Sequence, residues 1–209
     1  MPAGLLPLFP LQVVVFPRTP LPLHIFEERY KKMVGEAIHD RSEFGIVLAK
    51  DEGIVNAGCT VVVEKVLKEY PDGRMDILTS GRRRFEILFL NEEREYLRGE
   101  VEYFDDDDQE PVTEEMRRQV LEQYRALLET GETPGYGQPD LKDEQLSFQL
   151  AQGIPDTDFL NLLLRTRSEA ERLRELREFL TEFIPRQQQI VRMKKAAPQN
   201  GFGGKRGAT

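Results

Sequence analysis

Apolar residues follow two rhythms along this chain: short, strand-like runs through residue 104, then helical spacing from residue 114 onward. The most apolar stretch comes first, residues 5–26, LLPLFPLQVVVFPRTPLPLHIF, and it holds Pro7, Pro10, Pro17, Pro20 and Pro22, five of the 13 prolines. Proline fixes φ and has no N–H, which excludes a helix and a central strand along the whole stretch. The proline-free window 11–16, with Val13, Val14 and Val15 in a row, predicts a short central strand between two extended arms. The second arm, residues 17–23, cannot be a fully paired strand and must lie along a core or a partner. Residues 27–40 then read as a helix, because Tyr30, Met33, Val34, Ala37 and Ile38 make one apolar stripe.

Strand patterns follow. Residues 43–49 predict a short strand, 51–58 a loop and 59–70 a long strand. Pro71-Asp72-Gly73 is a turn, since proline presets φ and glycine accepts φ > 0. Residues 74–80 return, Gly81 marks a bend or bulge, and 82–90 and 96–104 are two further strands. Several short strands and one early helix predict a closed or nearly closed β-barrel. The aspartates at 105–108 mark a boundary, after which helices are expected at 114–129, 141–152 and 157–165, with a glycine- and proline-bearing loop at 130–139. Ser168-Glu169-Ala170-Glu171 has the form of a capping box and opens the longest helix. Pro185 predicts a bend in that helix, which continues through 186–195; residues 196–209 predict a disordered tail. The expected organisation is an α+β chain with a β domain over 1–108, a helical bundle over 109–195 and the tail.

Charge narrows the partners. The net charge of −8 and pI near 5.0 disfavour a general nucleic-acid binder. A single cysteine, Cys59, allows no intrachain disulfide and suits a reducing compartment. No run approaches the ~20 apolar residues of a membrane span, and the proline-studded start is not a signal peptide. A cytoplasmic protein with no membrane association is expected. Chemistry is sparse too: His24 and His39 are the only histidines, no phosphate-binding loop of the form G-x-x-x-x-G-K-[ST] is present, and Cys59 opens an apolar strand. No cofactor, no metal site and no catalytic residue is expected.

Two stretches remain as candidate binding elements. Phe16, Pro17, Leu21, Pro22, Leu23 and Phe26 either form an apolar, pre-stiffened lip for an extended segment or simply cover the end of the barrel. Arg82 and Arg84, flanking Arg83, either bind an acidic peptide or a phosphate backbone or are solvated arginines on a strand edge. Strand alternation turns Arg83 away from its neighbours, which weakens an RNA-binding reading.

LPLFPLQVVVFPRTPLPLHIFEERY resembles the opening of the Lon protease amino-terminal domain family, and the likeness extends over residues 5–190. Gly58, the Pro71-Asp72-Gly73 turn, Gly81 and the Arg84-Phe85 pair match its hairpin and next strand. SFQLAQGIPDTDFLNLLLRTRSEAERLRELREFL resembles its helices. The resemblance implies a PUA-like β pseudo-barrel followed by a helical bundle ending in a long helix. It also implies a non-catalytic substrate-binding module, here a stand-alone member without the ATPase or serine–lysine protease modules. Unfolded or apolar polypeptide segments, or a partner protein, are the implied ligands; RNA binding by a PUA-like protein is the alternative. Oligomeric state and cooperation with a separate ATP-dependent protease stay open.

Overall fold

A computed structural model of the chain describes residues 4–107, 110–131 and 139–196. Its strands are β1 (Leu6–Leu11), β2 (Pro20–Ile25), β3 (Phe44–Lys50), β4 (Gly53–Glu69), β5 (Met75–Asn91) and β6 (Arg98–Phe104). Its helices are α1 (Glu28–Asp40) between β2 and β3, then α2 (Glu114–Glu129), α3 (Leu146–Ala151), α4 (Thr157–Arg165) and α5 (Glu169–Ala196).

The strands form one mixed six-stranded sheet in the order β2-β5-β4-β3-β1-β6. β1 and β3 are parallel, and the other pairs are antiparallel. β5 is long enough to pair with β2 through its first half and with β6 through its second. This overturns the expected pseudo-barrel: the sheet is not a closed barrel, because β2 ends it with a strand partner on one edge alone. Pro20 and Pro22 explain the open edge, since neither has an N–H to offer a further strand.

The first strand also lies elsewhere than expected. β1 covers residues 6–11, prolines included, and the valine run connects it to β2. Val13 stays exposed, whereas Val15 and Phe16 turn into the core. The connector closes on itself: the Thr19 hydroxyl donates to the Phe16 carbonyl at 2.7 Å and accepts from the Phe16 amide at 3.2 Å. Arg18, at φ 60°, makes the turn. The loop expected at 51–58 is largely the start of β4, and the strands expected on either side of Gly81 are one strand, β5. Gly81 suits its place because a Cβ there would meet the Phe16 carbonyl oxygen at 2.0 Å.

Among the helices, α2 and α4 have the bounds the spacing predicts, and α3 is shorter than the expected 141–152. Thr113 caps α2 by accepting from the Met116 amide, and Asp156 caps α4 by accepting from the Phe159 amide. The Ser168 hydroxyl accepts from the Glu171 amide at 3.1 Å, as a capping box requires. α5 runs on through Pro185. Of the expected tail, 196–209, residue 196 ends α5 and 197–209 lie outside the described residues, as do 132–138 of the glycine-bearing loop. Among the described residues no helix is long and apolar enough to cross a membrane.

One apolar cluster runs from the sheet to the helices, taking in Phe44, Ile46 and Ile77, then Tyr30, Met33, Val34 and Ala37 of the α1 stripe, whose Ile38 is exposed, and Leu127, Leu146, Leu176 and Leu180. Phe16 joins the two regions by stacking on Phe148 of α3, ring centroids 4.7 Å apart. Beneath that stack lies a buried ion cluster. Asp106 accepts from Arg84 at 2.6 Å and from both terminal nitrogens of Arg172 at 2.6 Å. Arg172 also meets Glu169, whose carboxylate takes the Ser147 hydroxyl at 2.6 Å. Burial would raise the Asp106 carboxyl, but the two arginines outweigh it and hold the group below the usual carboxylate range. Glu169 goes the other way, pushed up because burial outweighs Ser147 and Arg172.

Candidate peptide-binding slot

β1 and β2 each carry an apolar-proline-leucine triplet, Phe9-Pro10-Leu11 and Leu21-Pro22-Leu23. The fold brings the ends of these strands to the two sides of one slot of about 350 Å³, with Glu27, Arg29 and Tyr30 at the start of α1 closing its end. The slot is lined by consecutive residues of both strands, 9–11 and 23–25, and by Phe26 just after β2. Consecutive strand residues point to opposite faces, so a cavity that meets them all lies along strand edges. Phe9 is set by stacking on Tyr30 at 4.0 Å between centroids, and Arg29 sits 4.6 Å above the same ring.

Phe26 marks the mouth. It is 59% exposed although large and apolar, and its ring lies 5.9 Å from that of His24. His24 is held in place in turn: its Nδ1 donates to Asp76 at 2.6 Å, and the Tyr70 hydroxyl donates to the other oxygen at 2.9 Å. The His24 hydrogen bond, with that of Tyr70, keeps the Asp76 carboxyl below its ordinary range. Charges at the rim are paired locally, Arg29 with Glu27 and Lys31 with Glu28. The slot therefore offers apolar side chains and backbone, without a net field.

The structure separates the residues that the sequence groups. Leu23 and Phe26 line the slot, and Leu21 and Pro22 precede them on β2. Phe16 is 2% exposed, so its ring belongs to the core and not to a lip. Pro17 lies with Pro20 over a different, polar cleft, where Arg18 donates to Asp143 at 2.7 Å. Sequence reasoning missed Phe9, Pro10, Leu11 and Tyr30. The repeated triplet was the signal that could have paired the two strands.

The arginines part company as well. Arg84 is 1% exposed and donates to Asp106 and to the Leu164 and Thr166 carbonyls. Arg82 pairs with Glu64, while Arg83 pairs with Glu43 and covers the Tyr103 ring at 3.8 Å. Strict alternation fails because β5 holds an extra residue here: Val61 faces Gly81, but Cys59 faces Arg84. The Thr60 hydroxyl takes the displaced Arg83 amide at 3.0 Å. With one arginine buried and two paired with carboxylates, the triplet itself presents no open basic patch to an RNA backbone. Among the described residues, no group of three His, Cys, Asp or Glu side chains could hold a metal ion.

The model of the ATP-dependent protease La (LON) substrate-binding domain family matches residues 5–182, and the chain belongs to that family. It is a binding module of the substrate-binding type, not a catalytic one. Among sequence relatives, the Lon protease of Parabacteroides distasonis is 31% identical over 110 residues, 48% of this chain and 13% of that protein. Lon protease 1 of Hydrogenovibrio crunogenus is 28% identical over 105 residues, 46% of this chain and 13% of that protein. The matched region thus spans 13% of the length of these curated relatives. The Lon N-terminal domain protein from Xanthomonas campestris superposes with a TM-score of 0.67 at 26% identity, over 83% of this chain and 96% of that one. The N-terminal domain of a Mycobacterium avium complex Lon protease shares the fold, with a TM-score of 0.60 at 18% identity over 86% of this chain and all of that one.

Proposed function

We propose that the slot between β1 and β2 holds extended apolar segments of partly unfolded proteins. The observation that carries this reading is Phe26, 59% exposed at the mouth of a slot whose walls are apolar. A large side chain left in water beside an open apolar channel gains its burial when a second chain arrives. Membership in a substrate-binding family supports the same reading.

Fluorescence anisotropy with a labelled, reduced and unfolded protein tests it. Phe26→Ala should weaken binding about tenfold or more, while an exposed site shifts folding stability by no more than about 0.5 kcal/mol. Phe16→Ala is the contrast: removing a fully buried phenylalanine should cost about 3–5 kcal/mol of stability. Equal affinity for wild type and Phe26→Ala, both folded, would remove the slot from consideration.

A further inference from the structure

A second surface lies away from the slot, at the bulge where β5 meets β6. Residues paired across the ladder share a face, and here Glu86 opposes Glu102 while Phe89 opposes Glu100. β5 holds one extra residue between Ile87 and Phe89. Leu88 shares the face of Glu86 by alternation, and the extra residue brings Phe89 round to that same face. The face therefore carries two adjacent apolar side chains, Leu88 and Phe89, 60% and 61% exposed, and three carboxylates. Glu86 and Glu102 stand directly opposite one another, an unfavourable like-charged pair. Among the described residues, no cation pairs with the carboxylate of Glu86, Glu100 or Glu102 to relieve it.

The opposite character is found on the last turns of α5. Residues 183–209 hold six lysines and arginines and no acidic residue, in a chain whose net charge is −8. Arg186, Ile190, Met193 and Lys194 are spaced by four, three and one along α5, which gathers two apolar residues and two cations on one stripe. Ile190 and Met193 are exposed, and Arg186 meets Glu182 at 3.3 Å in solvent, a pairing worth little. Stripe and patch are both exposed, so they do not cover each other within one molecule. The buried Leu173, Leu176, Leu180 and Ile184 hold the helix in that position. We propose that the stripe docks on a second copy of the chain, Ile190 and Met193 covering Leu88 and Phe89 while Arg186 and Lys194 answer the three glutamates. Opposite charge selects this partner, and apolar burial at the centre of the contact stabilises it. Each copy offers one patch and one stripe, so a reciprocal pair leaves neither unused.

Sedimentation velocity of the full chain tests this, at loading concentrations up to about 500 µM. Wild type should gain mass with concentration. Glu100→Lys with Glu102→Lys reverses the patch, and Arg186→Glu with Lys194→Glu reverses the stripe. Each variant alone should associate about tenfold or more weakly. An equimolar mixture of the two should recover association, because the reversed patch then meets the reversed stripe and the native patch the native stripe. Recovery on mixing also shows that both variants fold. Wild type that stays monomeric throughout overturns the proposal. Association retained by both variants places the contact on another face and overturns it as well, as does a mixture of folded variants no stronger than its components. Should a reversed chain fail to fold, Glu100→Gln with Glu102→Gln keeps the size and shape of the patch; it should weaken association about threefold or more, and unchanged association overturns the proposal. Association lost on removing residues 197–209 assigns the contact to that segment and not to the stripe, which overturns it too.

Discussion

Single residues here are placed by surroundings that no local pattern announces. Arg84 and Arg82 are two positions apart in an arginine triplet, yet one is sealed in the core and the other pairs with Glu64 in solvent. Cys59 is legible as a small buried hydrophobe, and the structure leaves its side chain at 0% exposure. Burial pushes its thiol up to about 12, with smaller opposing effects from the Arg82 backbone and Arg84. A thiol reacts as thiolate, so Cys59 should resist alkylation at neutral pH in the folded state. Labelling with iodoacetamide followed by mass spectrometry, with and without urea, checks this: modification should track unfolding, and rapid labelling of the native chain would contradict the sealed position.

At the scale of elements, the helices were the more legible half. α2 and α4 carry clear stripes between a capping residue and a break, and their bounds follow from sequence alone. α3 starts later than its pattern predicts because Asp140 and Asp143 hold the preceding stretch in turns, accepting from the Lys142 amide at 3.0 Å and the Gln145 amide at 2.8 Å. The strands were harder. A proline-free valine run looks more like a strand than LPLFPL, but the slot-side edge of β1 beyond Leu8 has no strand partner, so Pro10 costs the sheet no hydrogen bond there. The parallel β1–β3 pair is a long-range choice that periodicity cannot express. The slot was half visible, in Leu23 and Phe26, because its other wall comes from a strand the pattern misplaced. The sequence marks Gly81 as a bend, and its physical reason is the approach of the 16–19 turn to β5: the Arg18 amide donates to the Gly81 carbonyl at 2.8 Å and the Gly81 amide to the Thr19 carbonyl at 3.0 Å. Gly81→Ala should force these backbones apart and cost about 1–3 kcal/mol, measured by urea unfolding. A neutral result would show that the turn moves freely.

For the whole molecule, the ion cluster around Asp106 ties the end of the sheet to α3 and α5. Its carboxylate serves two arginines that are 1% exposed or less. Asp106→Asn leaves both underpaired and should cost about 3–5 kcal/mol. The pH dependence has a definite sign. A carboxyl held low in the folded state contributes stability that is complete above its unfolded value, ~4, and is lost as the pH falls through the folded value. The gap in unfolding free energy between wild type and Asp106→Asn should therefore be widest near pH 7 and shrink below about pH 4. Chemical denaturation of both chains at pH 7 and pH 3 checks this; a gap that is constant with pH would deny the aspartate its ionic role.

The same cluster sits at the root of α5, where Arg172 and Glu169 occupy the first turns. Beyond Ile184 the helix leaves the core, and Ile190 and Met193 are open to solvent. Its 28 residues amount to a rod about 42 Å long at 1.5 Å per residue. Geometry makes such a rod a lever: a tilt of about 5° at the base sweeps the tip through roughly 4 Å. Because Leu173, Leu176, Leu180 and Ile184 are buried along its first half, the base that sets this heading is that whole packed stretch, with two arginines and an aspartate locking its root.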